Sequence, residues 1–211
     1  MWHKVSPISF RIPAIKTWKS SWYADKKNYK DSAVADIQMR DFLKEELKGK
    51  LVWDIRLYRG AEEVTVDIFT AKPAGVNGKE WEGVAELIKK LNKKFNLKFS
   101  VNVKEIKKPE INATLVADNI ARQIEKRMPY KRVIKMAVQR AMEKGAKWVK
   151  VIAGGRLNWV EIARRETFKD GNIPTQTIRA DIDYVTERAE TVYGTIGIKV
   201  WIYKGQVFKK Q

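Results

Sequence analysis

The chain has 211 residues, with 43 Lys+Arg against 25 Asp+Glu, a formal net charge of +18 and a pI near 9.9. It has no cysteine and a single histidine, His3, which excludes zinc ribbons, disulfide scaffolds, thiol catalysis and histidine-based triads. A hydrophobic content of 44% is that of a globular chain, and at roughly 100–200 residues per domain the length predicts one domain or two small ones. No apolar leader-like segment and no run of about 18 apolar residues is present, which predicts a soluble, unexported chain, and the lack of cysteine fits a reducing cytoplasm. The positive excess points to a polyanion, because lysines and arginines that neutralise phosphates release condensed counterions.

The first thirty residues form a basic arm in which Lys4, Arg11, Lys16, Lys19, Lys26, Lys27 and Lys30 face only Asp25. Between Lys26 and Lys48, Val34, Ile37, Phe42, Leu43 and Leu47 recur at helical spacing, and Gly49 is a stop signal. Ile55 and Leu57, then Val64, Val66 and Ile68, alternate with polar residues on either side of Arg59-Gly60 and predict a hairpin. Lys72 to Gly83 reads as a Pro/Gly turn region. Val84, Leu87, Ile88 and Leu91 predict a helix, and Phe99, Val101, Val103 and Ile106 a third strand. Lys107-Lys108-Pro109 interrupts both periodicities and is taken as the boundary.

Beyond it, Ile111, Leu115, Val116, Ile120 and Ile124 predict one helix, and Val133, Ile134, Ala137, Val138, Ala141 and Met142 a second, ended by Gly145. Four strand-like stretches follow, near 148–153, 161–167, 177–185 and 193–203. The expected class is α+β, with two helices on a mostly antiparallel sheet in the second half. The expected layout is an arm over 1–16, a first domain over 17–106, a second over 107–208 and a short basic tail, 209–211.

From Ala121 to Lys150 ten basic residues stand against two acidic ones. On a helical wheel the apolar stripe of the second helix leaves Arg132, Lys135 and Gln139 on the opposite face, with Lys131 at its edge. A solvated face is the usual fate of such residues, but this one has almost no acids to pair with, and a phosphate backbone becomes the better partner. The stretch Lys72 to Trp81 holds glycines ahead of a helix, which suits close backbone approach to phosphates, although a plain surface turn would explain it equally well. Asp181-x-Asp183 with Glu161 could hold Mg²⁺. A salt-bridged rim beside Arg179 accounts better for two aspartates on one face of a strand. No nucleophile–base pair stands out, His3 reads as solvated, and no metal, cofactor or catalytic residue is expected.

The order helix-strand-strand-Gly loop-helix-strand is the layout of a type II KH domain, whose loop clamps the backbone of about four nucleotides. The stretches KTWKSSWYADKKNY (16–29), LVADNIARQIEKR (115–127), MAVQRAMEKGAK (136–147), GRLNWVEIARRE (155–166), TIRADIDY (177–184) and YGTIGIKVWIYKG (193–205) closely resemble the S-three family of bacterial small-subunit ribosomal proteins, almost without gaps from Met1 to about Phe208. The resemblance implies a KH domain and a C-terminal α+β domain in the head of the small subunit, bound to ribosomal RNA and lining the messenger entry channel. It places messenger-facing cations at Lys131, Arg132, Lys135 and Arg127, the KH loop at Gly78, Lys79, Glu80 and Trp81, and ribosomal-RNA contacts at Lys4, Arg11, Lys16, Lys19, Arg156 and Arg164. The implied neighbours are the small-subunit proteins S-ten and S-fourteen, with S-four and S-five nearby. A free-standing KH-type RNA-binding regulator is the alternative.

The chain departs from the family pattern at four tryptophans, Trp2, Trp81, Trp148 and Trp159, each at a position where the family has glycine. At Trp81 this affects the second glycine of the KH loop, where a left-handed backbone would cost an L-residue about 1–2 kcal/mol. A literal GxxG at Gly75 to Gly78 lies three residues early and reads as coincidental. Four glycine-to-tryptophan changes suggest a gene whose UGA codons mean glycine. The alternative is that these indoles stack on bases. Trp53, beside a turn, is a fifth candidate.

Overall fold

The computed structural model describes residues 4–12, 14–60, 63–78, 81–95 and 97–208. The chain divides into two compact units, one of residues 18–107 and one that joins 1–17 to 108–211.

In the first unit, β1 (Ser20–Ser21), α1 (Tyr29–Glu46), β2 (Val52–Arg59), β3 (Glu63–Thr70), α2 (Pro73–Asn77), α3 (Glu82–Phe95) and β4 (Lys98–Glu105) follow in order. The sheet order is β1-β2-β3-β4, with β2 and β3 antiparallel and the β1–β2 and β3–β4 pairs parallel. Period-2 alternation puts Ile55, Leu57, Val64, Val66 and Ile68 on the helix-covered face, where Leu43, Leu87 and Leu91 meet them. The parallel step from β3 to β4 requires a crossover, and α2 and α3 supply it. The stretch read as a turn begins with a short helix, since Pro73 has its φ preset for the first helical position. At Gly83, a Cβ would stand 2.6 Å from the Val76 carbonyl oxygen, so the two helices meet where only glycine fits.

On the outer face of this sheet the cations are neutralised in place. Asp54 takes Lys19 at 3.1 Å and Arg56 at 3.5 Å, and Asp67 takes Lys104 at 2.6 Å.

The second unit holds α4 (Ala113–Glu125), α5 (Tyr130–Glu143), β5 (Trp148–Gly155), β6 (Arg164–Asp170), β7 (Ala180–Thr191) and β8 (Gly194–Gln206). Its strands run in the order β6-β5-β8-β7, and every pair is antiparallel. Val149, Val151 and Ala153 of β5 and Ile198, Val200 and Ile202 of β8 pack with Ile120, Ile124, Val133 and Ile134 of the helices in one core. A bulge between Asp181 and Ile182 changes the register of β7 on β8. It corrects the sequence reading that put both aspartates on one face. Asp183 is buried on the helix side, accepts the Ala113 N–H at 3.1 Å and pairs with Lys204 at 3.5 Å, whereas Asp181 pairs with Lys16 at 2.8 Å. Their partners are therefore Lys204 and Lys16, while Arg179 lies over the Phe208 ring.

The N-terminal arm packs into this unit through Arg11, which is fully buried. Its Nε donates to Ala180 O at 2.6 Å, Nη1 to Pro7 O at 2.9 Å, and Nη2 to Thr175 O and Thr177 O, both at 3.0 Å.

Candidate nucleic-acid interface

Helix α5 buries Val133, Ile134, Val138 and Ala141, and its period leaves Lys131, Arg132, Lys135 and Gln139 exposed. Gln139 is held to Glu143 at 2.9 Å, but Lys131, Arg132 and Lys135 have no acidic partner among the described residues. The first turn of α5 carries no acid at all. Two cations therefore sit at the positive end of the helix dipole, where a carboxylate would be favoured by about 0.3–1 kcal/mol. The arrangement costs the isolated helix stability and favours an external anion, which would meet both the side chains and the free N–H groups of the first turn.

Arg127 sits in the tight turn between α4 and α5 at φ 61°, in the left-handed region, and is also exposed. Tyr130, not singled out from the sequence, ties the ridge to the sheet. It is buried, accepts a hydrogen bond from Arg164 at 3.2 Å and lies 6.0 Å beneath the Lys131 ammonium. Its signal was an aromatic residue directly before a Lys-Arg pair at a helix start. Beside the ridge, a cleft of about 510 Å³ lies between α5 and β6, lined by Lys135, Met142, Phe168 and Lys169 among others.

The other sequence-derived residues are placed unevenly. Arg11 is committed to protein carbonyls and has no guanidinium edge left for RNA, which removes it from the set of free cations. Lys16 is held by Asp181 and Lys19 by Asp54, although Lys19 stays 60% exposed. Arg156 closes its own loop, donating to Val160 O at 2.9 Å and Tyr193 O at 3.3 Å. Arg164 pairs with Glu166 at 3.2 Å, and its bond to Tyr130, more than that acid, raises its pKa. Lys4 is exposed.

In the loop between α2 and α3, Gly78 caps the short helix at φ 69° and Trp81 is exposed at φ 68°. Lys79 and Glu80 lie outside the described residues, as do Trp2, His3 and the basic tail. Gly75 lies inside α2, so the literal GxxG does not frame a loop. Among the described residues no three His, Asp or Glu side chains converge on a metal-sized site, and no helix is long and apolar enough to cross a membrane.

A basic α+β chain with a helix face of cations that have no acidic partner among the described residues has the make-up of a polyanion-binding protein. Residues 120–202 match the family model described as Ribosomal protein S3, C-terminal domain. Over the full length, the chain is 47% identical to the small ribosomal subunit protein uS3 of Hydrogenovibrio crunogenus, across all of this chain and 92% of that one. It is 45% identical to uS3 of Clostridium botulinum strain Okra, covering 98% and 93%, and 44% identical to uS3 of Marinobacter nauticus, covering 98% and 91%. The chain belongs to the uS3 family of small ribosomal subunit proteins, structural components without catalytic turnover.

Proposed function

We propose that the protein binds ribosomal RNA in the head of the cytoplasmic small subunit and lines the messenger entry channel with the α5 ridge. Lys131, Arg132, Lys135 and Arg127 face messenger phosphates, and Lys4, Lys16, Lys19, Arg156 and Arg164 face ribosomal RNA. The first unit serves as a type II KH domain, a reading supported by its order α1-β2-β3-α2-α3-β4. The neighbours are S-ten and S-fourteen, with S-four and S-five at the channel. The observation that carries the proposal is the ridge itself, cations left without acids at the end of a helix where acids would be stabilising.

Any unwinding is passive, since phosphate contacts favour the single strand as it passes. Ribosomes carrying Lys131→Ala, Arg132→Ala and Lys135→Ala together are expected to assemble normally and to slow several-fold on messengers with stable hairpins, with unstructured messengers unaffected. Single-ribosome elongation measurements check this. Equal rates through hairpins in wild-type and variant ribosomes would reject it.

A further inference from the structure

The second sheet has helices on one face only. Pairing register fixes what the other face carries. Tyr184 of β7, Trp201 of β8, Lys150 of β5 and Lys169 of β6 form one row across all four strands. Tyr184 and Trp201 lie side by side with centroids 4.9 Å apart and planes tilted by 37°, and the Lys150 ammonium stands 5.4 Å from the indole centroid. Two rows further on, Arg188 and Arg165 flank Gly197 and Gly154, whose missing side chains leave a floor of bare backbone. Lys199 projects from the row between, and Lys169, Arg165, Arg188 and Lys199 are all exposed. The register puts two acids of β7 on this face, Asp181, which holds Lys16, and Glu190 at the far end, and none of these four cations has an ion-pair partner among the described residues. The outer face of the first sheet, by contrast, carries Asp54 and Asp67 for its cations.

We propose that this open face is an RNA platform, on which a single-stranded segment of ribosomal RNA stacks a base against the Trp201–Tyr184 pair and lays its phosphates along Lys199, Arg188, Arg165 and Lys169. Stacking on aromatics beside a cationic track is the general means of holding single strands, and a sheet face displaying two aromatics is one of its known forms. Burial first, and then Lys4, Arg165 and Lys169, push the Lys150 pKa down. An approaching phosphate relieves that repulsion. The proposal rests on the RNA-binding reading above but uses a different surface from the α5 ridge.

The test measures binding of a labelled oligouridylate of about ten nucleotides to the full chain across a salt series. Neutralising Arg165→Gln, Arg188→Gln and Lys199→Gln together is expected to weaken binding about tenfold or more and to lower the slope of log K against log salt by about two. Unchanged affinity and slope would overturn the platform. A loss with the ridge variant alone overturns the platform and leaves the ridge standing, whereas no binding by the wild-type chain overturns both. If the triple variant melts early, photocrosslinking of wild-type protein to 4-thiouridine RNA decides. Adducts on the 180–206 peptide support the platform, and adducts only elsewhere reject it.

A separate observation concerns three tryptophans. Trp81 and Trp159 hold φ of 68° and 59°, a region in which bulky side chains are outliers. Trp148 is buried with its indole N–H unpartnered, and its ring fills the space that a side chain on Gly171 would need. Trp53, by contrast, packs edge-on against Phe69 at 5.7 Å and shows neither defect. We infer that residues 81, 148 and 159 are glycine in the protein as the cell makes it, with UGA read as glycine. Peptide masses from native ribosomes test this directly, with glycine expected at all three positions. A tryptophan mass at any of them, or a UGG codon there, would overturn it. In the tryptophan-bearing chain, Trp81→Gly and Trp159→Gly are each expected to shift the folding equilibrium about tenfold toward the native state.

Discussion

Replacing Arg11 with methionine is expected to destabilise the unit that contains the arm by about 3 kcal/mol. The methionine stem keeps most of the arginine's apolar volume, so the loss isolates the guanidinium. That group donates to four backbone carbonyls, of Pro7, Thr175, Thr177 and Ala180, and without it these acceptors stay buried with no donor. Burial lowers the pKa of Arg11, while Asp181 pulls it back up. The same acid holds Lys16 at 2.8 Å, a second attachment of the arm that the substitution leaves in place. Urea unfolding measures the change, and limited proteolysis should cut the variant ahead of Lys16. A loss below about 1 kcal/mol with an uncut arm would contradict this account.

The second large effect is expected at Asp183. Asp183 is buried, and its carboxylate accepts the first N–H of α4 and pairs with Lys204, which in turn reaches Asn112 at 3.2 Å. Asp183→Ala leaves that N–H unsatisfied and removes a buried carboxylate from the Lys204 ammonium, costing about 3 kcal/mol. Asp183→Asn keeps an acceptor for the N–H and loses only the charge, so about half the effect is expected. Equal losses for both variants would show that the charge matters and the helix cap does not. Circular dichroism during thermal melting separates the cases.

The long-range consequences of Arg11 and Asp183 mark where sequence reasoning stops. Helix α5 was legible because Val133, Ile134, Val138 and Ala141 repeat at a period no other structure shares, and its ridge is the complement of that stripe. The strands were legible from alternation at Val64, Val66 and Ile68 and along 193–203. Arg11 was not, since a cation in a basic arm looks the same whether it meets phosphate or 169 residues of intervening chain bring it to the Ala180 carbonyl. Ile8, Phe10 and Ile12 around it were the one hint of burial. The bulge at Asp181 broke a face assignment that assumed strict period 2. The Pro73–Asn77 helix is too short for periodicity to show. The row from Tyr184 to Lys169 needs the register of four strands at once, which no single stretch of sequence contains.

The central claim, that this chain is an integral small-subunit protein held by many RNA contacts, is tested most directly by quantitative mass spectrometry of small subunits after graded salt washes. The account predicts one copy per subunit retained through high salt, with the peptide carrying Lys131, Arg132 and Lys135 crosslinked to messenger RNA. Release that rises steeply with salt, while subunits stay intact, is the behaviour of a loosely bound RNA protein and would contradict it.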